Sequence, residues 1–96
     1  MQRITKRNLE ALCDRLNTLT NSPPQQFRAG TLDAQVGHHY ISGAYGGHQL
    51  VRVTNPQGGV TTLLGTGHIP ARQLYDLMQA YMAGIKAARE QGEAKL

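Results

Sequence analysis

The segment Ser42-Gly43-Ala44-Tyr45-Gly46-Gly47-His48 gathers, in one short stretch, residue types that handle anions and flat rings. Its glycines permit positive φ and let a ligand or another backbone approach closely. Tyr45 has two readings that both stand: a ring folded back on its own sheet, or one that stacks on a ligand or protein surface. His38, Tyr40, His48 and Arg52 flank the segment, and cationic donors beside an aromatic are what base stacking and phosphate contact require. A second cluster, Gly65-Thr66-Gly67-His68, precedes Pro70 and a helix start, where free amides, the helix dipole and His68 suit a phosphate or carboxylate. The first run is not a dinucleotide fingerprint, because its glycines join two strands and not a strand and a helix.

Other chemistries fit less well. His38 and His48 lie about 13 Å apart at about 3.3 Å per strand residue, and His39 faces the other way, so no metal site or cofactor is expected. The single cysteine, Cys13, falls in an apolar helical stripe and reads as a small core residue. No nucleophile is paired with a base, so the expectation is a binding protein and not an enzyme.

The elements that position these residues follow from periodicity. Leu9, Leu12, Cys13, Leu16 and Leu19 share one face of a helix over about 5–20, with Thr5 as N-cap and Pro23-Pro24 beyond its end. A loop over 21–35 follows, with Phe27 expected to pin it to the core. Three short strands over about 36–42, 48–54 and 60–64 are separated by glycine-rich turns, and so form an antiparallel meander. A last helix over about 70–89 carries a stripe of Leu74, Leu77, Met78, Tyr81, Ile85 and Ala88, widened by Tyr75 and Met82, with a frayed tail over 90–96. The expected fold is α+β: one domain over 1–96, α-β-β-β-α, with both helices on one face of the three-stranded sheet.

If Gly43 to Gly47 form a five-residue loop, Ser42 pairs with His48, Tyr40 with Leu50 and His38 with Arg52. The open face then carries His38, Tyr40, Ser42, His48, Leu50 and Arg52. His39, Ile41, Gln49, Val51 and Val53 lie under the helices, and a turn at Pro56-Gln57 sets Val53 against Val60. A one-residue slip would exchange these faces.

Ten Lys and Arg against six Asp and Glu give +4, and the histidines add to this as pH falls. Such a balance favours anionic partners. Arg3, Lys6 and Arg7 crowd the positive start of the first helix, where a Lys6–Glu10 pair would leave an ordinary solvated end. No run is long and apolar enough to span a membrane, and one cysteine fits a reducing cytoplasm.

The stretch from Val36 to His48, with Gly58-Gly59-Val60, His68-Ile69-Pro70-Ala71-Arg72-Gln73-Leu74-Tyr75 and Ile4-Thr5-Lys6-Arg7-Asn8-Leu9-Glu10, resembles a group of small phage and prophage accessory proteins. The resemblance covers most of the chain and implies the cytoplasm of an infected bacterium. It implies no activity and no site residues. The element order also resembles that of double-stranded RNA-binding domains, from which Pro70-Ala71-Arg72-Gln73 departs where a Lys-rich helix start belongs.

These readings converge on a phage accessory protein, serving counter-defence, that captures a phosphate-bearing ligand such as a signalling nucleotide, with a homodimer or higher oligomer closing the pocket. Tyr45, Gly46, Gly47, His48, Tyr40, His38, Arg52 and His68 are the expected contacts. Two alternatives stand: a nucleic-acid-binding module on the open sheet face, and a protein inhibitor or assembly factor docking through Tyr75 and Met82 or the Tyr45 loop.

Overall fold

The computed structural model describes residues 3–94. Helix α1 spans Lys6–Leu19 and is closed at both ends by its own sequence. Thr5 Oγ1 accepts from the Asn8 amide while Asn8 Oδ1 accepts from the Thr5 amide, a reciprocal cap. At the other end Asn21 turns left-handed, and Ser22 N–H reaches back to Asn17 O at 2.8 Å, a Schellman stop just before the prolines.

Strands β1 (His39–Ala44), β2 (Gly47–Val53) and β3 (Val60–Thr62) form an antiparallel sheet in that order, and helix α2 spans Ala71–Ala94. The order is α-β-β-β-α, an α+β fold. Leu9, Leu12, Cys13 and Leu16 of α1, Leu74, Met78 and Met82 of α2, and Ile41 and Leu50 of the sheet form one buried cluster, so both helices cover one sheet face. Met82 is 6% exposed and Tyr75 packs against the cluster. These two residues therefore belong to the core and not to a free docking shoulder, while Leu77 and Ala88 lie outside it.

The register differs from the sequence expectation by one residue on β2. Tyr45 and Gly46 both take positive φ, 54° and 73°, and make a two-residue type I′ turn in place of a five-residue loop. Ala44 then pairs with Gly47, Ser42 with Gln49, Tyr40 with Val51 and His39 with Arg52. The helix-covered face carries His39, Ile41, His48, Leu50 and Arg52, and the second face carries His38, Tyr40, Ser42, Gln49, Val51 and Val53. Arg52, His48 and Leu50 thus leave the open face. Val51 and Val53, each 1% exposed, lie outside the helix-side cluster, and Pro23 O meets His38 Nδ1 at this end, so the second face is not bare.

Val53 does pair with Val60, through a turn in which Asn55 Oδ1 accepts from the Gln57 and Gly59 amides. Strand β3 stops at Thr62, because Leu64, Gly65 and Gly67 are left-handed. The chain leaves β2 after Leu63 N–H bonds Leu50 O and rejoins it where His48 and Ile69 exchange both backbone bonds at 2.8 and 2.9 Å.

The 21–35 segment holds a small ladder of its own, with Phe27 bridging Ala34, and its Ala34 amide bonds Pro56 O. Phe27 remains 42% exposed and does not pin the loop to the core. Helix α2 continues past Arg89 to Ala94, since Glu90 and Gln91 are strong helix formers; Lys95 and Leu96 of the expected tail lie outside the described residues.

Candidate functional site

The type I′ turn and the His48–Ile69 bridge together decide what stands beside the hairpin tip. Gly47 packs against the backbone of His68 and Ile69, where a Cβ would lie 2.9 Å from His68 C and 3.0 Å from Ile69 N. This close approach carries Pro70 and the start of α2 alongside Gly46. The start of α1 lies across from it. Between them is an open cleft of about 650 Å³.

Its charged lining is Arg3, Lys6 and Arg72, with no carboxylate. Gly46, His48 and Ala71 complete the wall nearest the sheet. Neither helix has an acidic residue in its first turn. Cations at the positive end of a helix are disfavoured by about 0.3–1 kcal/mol each, so two such ends facing one cleft leave a field that an anion would relieve. No side chain among the described residues bonds the Ala71, Arg72 or Gln73 amides, which are the free donors of α2. The Lys6–Glu10 pair is not formed. Arg72 lies 3.5 Å from Asp76, an exposed i, i+4 contact worth little that leaves its charge available.

His48 lines the cleft, and its Nδ1 is buried with no partner. A neutral ring carrying its proton on Nε2 would leave Nδ1 an orphan acceptor, which costs less than an orphan N–H. His68 is outside the cleft lining. Its ring meets Tyr45 edge-on at 5.9 Å, and its Nε2 is buried and unpartnered. Tyr45 itself is 99% exposed, so it is not folded back on the sheet.

The other expected residues are dispersed. His38 and Tyr40 stack at 6.1 Å on the second face, with His38 Nδ1 donating to Pro23 O at 2.8 Å. Arg52 is on the opposite face, next to His39. The structure thus brings Gly46 and His48 together with Arg3, Lys6 and Arg72, sets Tyr45 and His68 at the hairpin tip, and separates His38, Tyr40 and Arg52 from them. Among the described residues no three His, Cys, Asp or Glu side chains converge as a metal site would need, and no helix is long and apolar enough to cross a membrane.

Arg72 was not singled out by its sequence context, and Arg3 and Lys6 read as a solvated helix end. The missing signal was the pairing of His48 with Ile69, which no local pattern announces. Asn17 was missed as well: it is buried on α1 and bonded to His39. Comparison with protein-family models, curated proteins and solved structures finds no match to this chain.

Proposed function

We propose that this chain captures a phosphate-bearing small ligand, such as a signalling nucleotide, in the cleft between the starts of α1 and α2. The observation that carries the reading is a cleft walled by Arg3, Lys6 and Arg72, with no carboxylate among its described lining residues and only the exposed Asp76 beside Arg72. Phosphate oxygens meet the arginine forks and the free α2 amides, and His48 Nε2 adds a donor. Gly46 gives the ligand close access to the backbone, and Tyr45, one residue away, supplies an exposed ring for a base at the rim. The role is capture without turnover. The resemblance to small phage proteins gives it a setting, the cytoplasm of an infected bacterium, where sequestering a signal would blunt a defence.

Calorimetric titration with inorganic phosphate, cyclic dinucleotides and ADP-ribose derivatives tests the reading. At least one nucleotide is expected to bind, with phosphate competing, and Arg72→Gln to weaken binding about tenfold through the loss of a charge-assisted hydrogen bond. Absence of heat from every ligand overturns it, as does binding that survives the Arg3→Gln/Arg72→Gln double variant. Gel shifts with DNA and RNA run beside it. Steeply salt-dependent polynucleotide binding with no nucleotide binding would replace this reading with the nucleic-acid one.

A further inference from the structure

The outer edge of β1 holds backbone groups that nothing else among the described residues uses. Residues of an antiparallel strand turn their N–H and C=O alternately toward and away from the neighbour. Val53 N–H bonds His38 O, so His39, Ile41 and Gly43 turn their groups away from β2. The Asn17 amide takes those of His39. Those of Ile41 and Gly43 have no partner among the described residues. Exposed edges are ordinarily guarded by lysine, proline, a bulge, brevity or a covering helix or loop, and here the Asn17 cover ends at His39. His39-Tyr40-Ile41-Ser42-Gly43-Ala44 contains no charge and no proline, and pairs with β2 throughout without a bulge. Beside it lies a second cleft, of about 440 Å³, where Lys6, Glu10 and Asp14 of α1 overlook Ile41.

We propose that this edge pairs antiparallel with the same edge of a second copy, merging two sheets into one. A two-fold axis at Ser42 sets Ile41 opposite the partner's Gly43, and each exchanges both of its free groups with the other. The match is self-complementary, as a two-fold interface requires. The flanking charges match as well. Helix α1 runs back along β1 from Asn17, beside His39, toward Lys6. Ser42 is about 10 Å along the strand at about 3.3 Å per residue, level with a point six or seven residues back on a helix rising about 1.5 Å per residue, near Glu10. The axis therefore sends Lys6 of each copy toward the partner's Asp14, while the two Glu10 side chains approach one another at the centre, the one like-charge contact of the pairing.

Two variants and one native measurement test this. Ser42 faces the partner's Ser42 in a pair without mutual backbone bonds, where Cα atoms approach to about 4.5 Å, within reach of a disulfide. Mild oxidation of Ser42→Cys is expected to give a covalent dimer, and Thr62→Cys on the far edge to give none. Sedimentation equilibrium of the native chain is expected to show twice the chain mass, and Ser42→Lys to return it to the chain mass with circular dichroism unchanged. A native chain that stays monomeric to millimolar concentration overturns the proposal, including one whose β1 edge accepts an added extended peptide. So does a dimer indifferent to Ser42→Lys, or equal cross-linking of the two cysteine variants. Neither variant alters a residue lining the phosphate cleft, and Lys6 is the one residue that the two clefts share, so ligand titration of Ser42→Lys reads how far that cleft depends on pairing.

Discussion

Asn17 lies against the outer edge of β1 as a neighbouring strand would: its Nδ2 donates to His39 O at 3.0 Å, and its Oδ1 accepts from the His39 amide at 2.8 Å. The same Oδ1 accepts from His39 Nδ1–H at 3.0 Å, which fixes the neutral ring tautomer. One side chain thereby caps the sheet edge, ties α1 to β1 and orients a buried imidazole.

Burial, with Arg52 and then His38 adding to it, lowers the His39 pKa from 6.5 to about 4. The unfolded ring takes its proton near 6.5 and the folded ring only near 4, so the stability from burying a neutral ring is whole above about 6.5 and lost as pH falls toward 4. Urea unfolding is expected to show stability falling through that window by up to about 1.4 kcal/mol per pH unit. An NMR titration placing the His39 midpoint at its ordinary value would contradict this account.

Gly47→Ala should destabilise the fold by about 1–3 kcal/mol, the usual cost of overpacking. Its Cβ would meet the backbone of the 68–69 segment, which cannot rotate away as a side chain can. Thermal unfolding measures the loss, and Gly46→Ala makes the comparison, since a Cβ there meets nothing within 4 Å and only the left-handed φ of 73° is strained.

Tyr45→Asn should make the chain more stable by about 1 kcal/mol, because a left-handed backbone costs tyrosine more than asparagine and Asn-Gly is the favoured I′ pair. The same variant should bind nucleotide more weakly, having lost the ring at the rim. A rise in melting temperature with unchanged affinity would remove Tyr45 from the site.

Cys13 should resist alkylation in the native chain. Desolvation, followed by Asp14 and Glu10, raises its thiol from 9.0 to about 12, so almost no thiolate exists at neutral pH. Iodoacetamide labelling followed by mass spectrometry is expected to modify it only in denaturant; rapid native labelling would mean that α1 opens.

The helices were legible because their signals are local: Thr5 before a leucine period, paired prolines after it, and Pro70 ahead of the second stripe. The element order followed from the turns. The faces of β2 were not legible, since they hang on whether Tyr45 accepts a left-handed backbone, and tyrosine is not a residue that advertises this. That single dihedral moved Arg52 and His48 through the sheet. The cleft was half legible: Gly46, His48 and both helix starts were noted separately, and only the Ile69 pairing shows that they share one wall.

Beyond Leu64, which packs against the core, the excursion from Gly65 to Gly67 has a further meaning. Its two ends are anchored to the same strand, at Leu50 and at His48, so the sheet fixes where it begins and ends and leaves its length free. Extra residues there would cost only slowly growing loop entropy and would not displace Ile69, Pro70 or the helix they start. The molecule therefore separates a scaffold that must hold still from a tether that is free to lengthen, and insertions can arise beside the cleft without rebuilding it.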